Sequence, residues 1–224
     1  MNELLENADN FELLNQLLIA CSNGDLETVR YVLTNAKIQP SDINYFDNSP
    51  IRNACYHGHL EIVKYLLTSK ELKENVNIQV INDAPLRVAC AEGHFHIVKY
   101  LLTSEDLKEH SNVNAINNDA MDYACSKGHL DIIKYLVSST EIKKNIDIAD
   151  YDYKAFRVAL ENNNLEIIKY FIFDLNIERN SHIDVYLENH KSEIVEDWFK
   201  LKELNKSLNK ELNSKDIKLK KVKL

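Results

Sequence analysis

GHLEIVKYLLTSKELKEN at residues 58–75, GHFHIVKYLLTSEDLKEH at 93–110 and GHLDIIKYLVSSTEIKKN at 128–145 are one phrase written three times, each copy 35 residues after the last. A fixed period of this length marks stacked supersecondary units, so the repeat decides the fold before any local propensity does. Inside a copy the apolar residues fall at helical spacing, as Leu60, Ile62, Val63, Leu66 and Leu67, and leave Glu61 and Lys64 for an outer face. Upstream of each glycine stands a second matched run, IRNACYH (51–57), LRVACAE (86–92) and MDYACSK (121–127), long enough for one short helix. Two weaker copies flank these three. LLIACSN followed by NGDLETVRYVLTN has its glycine at Gly24, one residue short of the period, and FRVALEN followed by NNNLEIIKYFIFD puts Asn163 where glycine belongs.

Each repeat therefore predicts two antiparallel helices, with Gly24, Gly58, Gly93 or Gly128 as the left-handed residue that ends the first. After the second helix, Thr68-x-x-Glu71, Thr103-x-x-Asp106 and Ser138-x-x-Glu141 have the spacing of capping boxes and predict one extra helical turn. A short polar tip follows, INYFDN, IQVIND, VNAINN or IADYDY, with Asn and Asp where a tight turn needs them. One such pair cannot bury both its helices; only stacked neighbours make a continuous core. The expected organisation is a five-repeat array over 1–175, a shortened cap over 176–200 in which HKSEIVEDWF repeats the second-helix pattern, and a basic amphipathic helix or tail over 201–224.

Composition agrees with an all-α fold. Gly 4 and Pro 3 are too few for a sandwich or barrel of many short strands, and no window approaches the roughly 18 apolar residues of a membrane span. The net charge of -8 is uneven: residues 200–224 carry nine lysines against Glu203, Glu211 and Asp216, so the rest of the chain is strongly acidic. An acidic body repels phosphate, which makes nucleic acid an unlikely partner. The opening MNELLENADNF has acids where a secretory signal is basic, so a cytoplasmic chain is expected, a host cell's cytoplasm included.

The phrases SPIRNACYHGHLEIV and APLRVACAEGHFHIV, and less closely DAMDYACSKGHLDII, resemble the ankyrin-repeat motif T-P-L-H-x-A-A-x-x-G-H-x-E-[IV]-V. The resemblance covers roughly residues 11–200. Two departures stand out: Arg52, Arg87 and Arg157 replace the motif's histidine, and the tip is shorter while the segment after the second helix is longer, as in divergent arrays common in large viruses, amoebae and bacteria. The resemblance implies an all-α ankyrin-repeat solenoid with short hairpin-like tips and a C-terminal capping helix. Tips and first helices together would make a concave face for protein–protein contact. It implies a binding module and no enzyme, with no cofactor and no metal.

Residues that invite a chemical reading have plainer ones. Cys21, Cys55, Cys90 and Cys125 share one register position, but helices pack roughly 8–10 Å apart, beyond disulfide reach, so the thiols are expected as small hydrophobes in a helix seam. His59, His94 and His129 follow the glycines one repeat apart, too far to share a metal, and the family uses this histidine to brace the loop. Arg52, Arg87 and Arg157 are expected to tie the first helix to a neighbouring tip. No P-loop, HExxH, GxGxxG or nucleophile elbow occurs, and nothing singles out a general acid and base.

The informative positions vary where the repeat does not require it. On the tips these are Tyr45, Phe46, Val80, Ile81, Ile116, Tyr151 and Tyr153; on the first helices they are Tyr56, His57, Ala91, Glu92, Ser126 and Lys127. Together they form the expected partner-binding set, with Tyr45 and Tyr56 the least explained by packing and the kind of residue that anchors interfaces. The final segment lines Trp198, Leu201, Leu204, Leu208 and Leu212 along one stripe among lysines. It reads as a helix folded over the last repeat, or as one that docks to a partner or makes a homo-oligomer through 198–212. Three functions stay open: a module that occupies another protein, as a viral or bacterial effector or inhibitor does; an assembly protein that homo-oligomerises through this helix; and a small-molecule or nucleotide-sensing array.

Overall fold

The computed structural model describes residues 8–35, 38, 49–72, 75–78, 80–142 and 146–221; the side chains of 35, 80, 81 and 213–221 are outside this description, and so is the tip carrying Tyr45 and Phe46. No strand occurs among the described residues. Helices come in pairs: α1 (Asn10–Asn23) with α2 (Leu26–Asn35), α3 (Ser49–Tyr56) with α4 (Leu60–Thr68), α5 (Val80–Ala91) with α6 (Phe95–Thr103), and α7 (Ala115–Lys127) with α8 (Leu130–Ser138). The fifth pair is α9 (Asp150–Glu161) with α10 (Leu165–Lys169), which widens into a π-helical turn over Tyr170–Asp174, and α11 (Ser181–His190) and α12 (Glu193–Lys221) end the chain. The chain divides into two compact bodies, Met1–Asp147 and Ile148–Leu224.

In the first body α1, α3, α5 and α7 pack in series, and α2, α4, α6 and α8 form a second row behind them. Repetition of the sequence becomes repetition of the core: Ile51, Leu86 and Met121 are fully buried at one register, and Ile62, Ile97 and Ile132 at another. The Ala-Cys pairs are buried in every first helix, where two small side chains let neighbouring backbones approach. All four cysteines are free. Burial pushes the Cys21 thiol up to about 12 and raises Cys55, Cys90 and Cys125 well above the ordinary thiol range, so they act as packing groups and not as nucleophiles.

The glycine between the helices has two reasons to be glycine. Gly93 has φ +78, and a Cβ there would lie 2.5 Å from Cε1 of His129 in the next repeat. That imidazole hydrogen-bonds through Nε2 to the Ala91 carbonyl at 3.0 Å, as His94 does to Tyr56 and His59 to Ser22, both at 2.9 Å. Each histidine thus braces the preceding repeat's turn, as expected from the family resemblance. In the fifth repeat Asn163 adopts the left-handed conformation at φ 55, and Asn164 stands in the histidine's place.

The segment after the second helix differs from expectation. Thr68, Thr103 and Ser138 do not cap a new turn; their hydroxyls donate back to the carbonyls of Lys64, Lys99 and Lys134 within their own helices. The next residue accepts instead, Ser69 from the Glu71 N–H, Ser104 from Asp106 and Ser139 from Glu141, which makes a hydroxyl-closed turn without a helix. That turn places the acid under the neighbouring repeat. Glu71 meets Arg30 at 3.2 Å and Glu141 meets Lys99 at 2.9 Å, while the Tyr65 and Tyr135 hydroxyls donate to the same two acids. The second-helix row thereby spends its charges on itself.

What reads in sequence as hairpin-like tips takes the form of a left-handed turn at the start of α5, α7 and α9. Asn82 and Asp83, then Ile116, Asn117 and Asn118, then Tyr151, Asp152 and Tyr153 all have φ between 46° and 66°. Asn and Asp tolerate this region; a β-branched residue such as Ile116 is strained in it. The turn aims a side chain at the next repeat: Asp83, buried at 4% exposure, accepts the Asn112 N–H at 3.0 Å. Arg87 reaches Asp119 at the start of α7, 3.4 Å away, as expected of an inter-repeat tie, whereas Arg157 turns inward on its own helix to Glu161, contrary to that expectation.

Burial holds the Asp83 carboxyl above its ordinary pKa, against the opposing pull of Asn112, Ser111 and Arg87. A folded pKa above the unfolded one means stability present at low pH and lost as pH rises through the folded value. Asp83→Asn keeps the acceptor, and Asn118 already holds the equivalent register. The variant is expected to match or exceed the parent at pH 7, by up to about 1 kcal/mol, with the difference vanishing below the carboxylate range. Melting curves against pH check this; a variant weaker at pH 7 would make the Arg87 attraction the larger effect.

In the second body α9 packs on α10 and α11, and α12 packs on α10 and the π-helical turn. Asn180 caps α11 by accepting the N–H groups of His182 and Ile183. From α12, Val195 and Phe199 are buried, Phe199 with its ring 6.2 Å from Phe156, and the Lys202 ammonium donates to the Ile177 carbonyl. Desolvation lowers the Lys202 pKa, with Glu178 opposing.

Candidate binding surface on the first helices

The first helices bury one side against their neighbours and the second-helix row, and they leave the other side unspent. Tyr56 closes α3 half exposed, its ring edge-on to His57 at 4.9 Å. Ala91 and Ser126 hold the same register on α5 and α7, and His57, Glu92 and Lys127 hold the next one. At Tyr56 and Ala91 the backbone carbonyl receives the histidine brace, so the repeat uses the main chain of this position and does not constrain its side chain. That is the physical reason the position varies.

The structure brings Tyr56, His57, Ala91, Glu92, Ser126 and Lys127 onto successive helices of the first body, since α3 packs on α5 and α5 on α7. Ile116 is 40% exposed on the left-handed turn at the start of α7. Tyr151 and Tyr153 belong to the second body, Tyr151 exposed and Tyr153 half-buried, both left-handed. Tyr45 and Phe46 lie outside the described residues, as do the side chains of Val80 and Ile81.

Sequence reasoning passed over one row of this surface. Ile19 is 51% exposed and Tyr123 43%, at the position five residues before the glycine, where Asn53 and Val88 also fall. This position shares a helix face with Tyr56 and His57 by i, i+3 and i, i+4 spacing. The signal was present: between the constant Ala-Cys pair and the buried Ile51, Leu86 and Met121, the residue changes from Ile to Asn to Val to Tyr.

A separate cleft of about 500 Å³ opens beside the loops that follow α4 and α6, with Leu67, Leu72, Val76, Ile78 and Leu107 against Asp106. Among the described residues no group of three or more His, Cys, Asp or Glu is arranged to hold a metal ion, and no helix is long and apolar enough to cross a membrane.

Comparison with known proteins agrees with the geometry. A family model described as ankyrin repeats (3 copies) matches residues 70–148 and 86–183, and one described as ankyrin repeats (many copies) matches residues 17–67. A search of curated proteins finds no significant match. Ankyrin repeats are generally protein–protein interaction modules and typically have no catalysis of their own. With its helix pairs, braced glycine turns and matched repeats over most of its length, the chain belongs to the ankyrin-repeat family.

Proposed function

We propose that this protein binds one partner protein through the first-helix face of residues 1–147, the face that is concave in the family geometry, and that it acts by occupying that partner. The observation that carries the reading is the exposure of Ile19, Tyr56 and Tyr123, which helical spacing puts on one face of the first helices, with Ile116 exposed on the turn that opens α7. Exposed Ile116 adds to it, because a strained left-handed β-branched residue gains little from burial there and is better explained by a contact yet to be made. The opposite row supports the choice of face by contrast, since Arg30 with Glu71 and Lys99 with Glu141 already pair between repeats there. An effector or inhibitor of a host or competitor protein inside a cell would work in this way.

The test begins with a partner captured from the native cell. Tyr56→Ala with Tyr123→Ala is expected to weaken that complex by about 2 kcal/mol or more, roughly thirtyfold, whereas Lys64→Ala with Lys99→Ala is expected to leave it unchanged. Titration calorimetry gives the affinities, and equal melting temperatures exclude lost folding. Loss of binding in the lysine pair with retention in the tyrosine pair would move the site to the second-helix row.

A further inference from the structure

The last helix carries two faces, and only one of them is used. Val195, Phe199 and Lys202 are buried against their own body, and Lys206 reaches Glu178 at 3.2 Å from the same side. Every residue from Glu203 to Leu212 is exposed, so over this stretch the helix buries no side chain against its body. The leucine stripe is not on the buried face. At 100° per residue, Ile194, Leu201, Leu204, Leu208 and Leu212 lie on the far side from Val195 and Phe199, and each is between 47% and 60% exposed. The expectation that this stripe folds over the last repeat is therefore replaced: the cap uses one side of α12 and the stripe faces away over roughly 27 Å.

An isolated helix of this length is marginal in water, and an apolar stripe on it asks for a partner. The stripe is one leucine wide, with Asn205 on one flank and Glu211 on the other; that is the width of a helix–helix seam, narrower than the broad apolar face of a membrane-surface helix. The charges select the occupant. In sequence, residues 193–203 of α12 hold Glu193, Glu196, Asp197 and Glu203 against Lys200 and Lys202, and residues 210–221 hold Lys210, Lys215, Lys218, Lys220 and Lys221 against Glu211 and Asp216. A second copy running antiparallel sets the acidic end of one helix against the basic end of the other, and a parallel copy sets like against like.

We infer that two copies of this chain associate through α12 in an antiparallel pair centred near Lys206, with Leu201 of one copy level with Leu212 of the other. The inference is independent of the first-helix binding face. Dimerisation presents two such faces on one particle, which raises avidity for a partner that is itself multivalent.

Sedimentation equilibrium of the full chain tests it. The parent is expected as a dimer at about 100 µM with a dissociation constant on the order of 10 µM, and Leu204→Glu with Leu208→Glu is expected to weaken association about a hundredfold while leaving the melting temperature unchanged, since both residues are exposed. Direction is read by oxidation, because the native cysteines are buried and only added ones react. Leu201→Cys alone should stay uncrosslinked, and a mixture of Leu201→Cys with Leu212→Cys should give a crosslinked pair. Crosslinking of Leu201→Cys alone overturns the antiparallel arrangement. A parent that is monomeric at that concentration overturns the dimer, and if it also sediments with phosphatidylserine vesicles while the double glutamate variant does not, the stripe serves an anionic lipid surface instead.

Discussion

Cys90→Asp is expected to abolish cooperative folding of the central repeats at neutral pH. Cys90 is fully buried, burial alone lifts its thiol far above the ordinary range, and its neighbours are the small and aliphatic side chains of a helix seam. A carboxylate placed there either stays charged without a partner or takes up a proton, and the loss is on the order of 4–5 kcal/mol, a large part of the stability of an ordinary domain. The sign of the pH dependence follows. The new carboxyl has a folded pKa raised above its unfolded value, so stability is retained below the unfolded pKa and lost as pH rises through the folded one. Helical circular dichroism should therefore recover partly near pH 4. Cys90→Ala, which removes only a sulfur, should cost about 1 kcal/mol and keep the parent's pH profile. If Cys90→Asp melts within about 2 °C of the parent at pH 7, the residue is not in the seam.

Gly93→Ala is expected to cost about 2–3 kcal/mol, from two separable sources. Alanine at φ +78 carries the left-handed penalty, roughly 1–2 kcal/mol. Its Cβ also meets the His129 ring at 2.5 Å, and the ring can yield only by giving up its bond to the Ala91 carbonyl, worth roughly 1 kcal/mol. A double-mutant cycle separates them. In the His129→Ala background, Gly93→Ala should cost only the dihedral part, so the two changes together fall short of their sum by about 1 kcal/mol. Strict additivity in denaturant melts would mean that the histidine does not brace the turn.

The repeat order of the molecule follows from the sequence alone, because a 35-residue period that carries its own helical spacing leaves stacking as the one way to bury both helices of each pair. The helix pairs, the glycine turns and the thiol seam are local or nearest-neighbour properties repeated in register, and repetition makes a weak signal plain. The histidine brace came from the family resemblance and holds in the structure. Other features depended on how one repeat meets the next. Thr68 and Ser69 are both hydroxyl residues, and spacing alone favoured the wrong one as the cap; the turn closed by Ser69 is the one that carries Glu71 to Arg30. Tip sequences with Asn and Asp point to a turn, but the left-handed run that ends on Asp83 is explained only by the following repeat, whose Asn112 N–H the Asp83 carboxylate reaches. Ile19 and Tyr123 were passed over in sequence, since periodicity does not say which side of a helix the neighbouring repeats leave open. The leucine stripe of α12 was visible as a stripe, yet its direction was not: periodicity says which residues share a face, and only the seat of Val195 and Phe199 on their own body decides that this face looks outward.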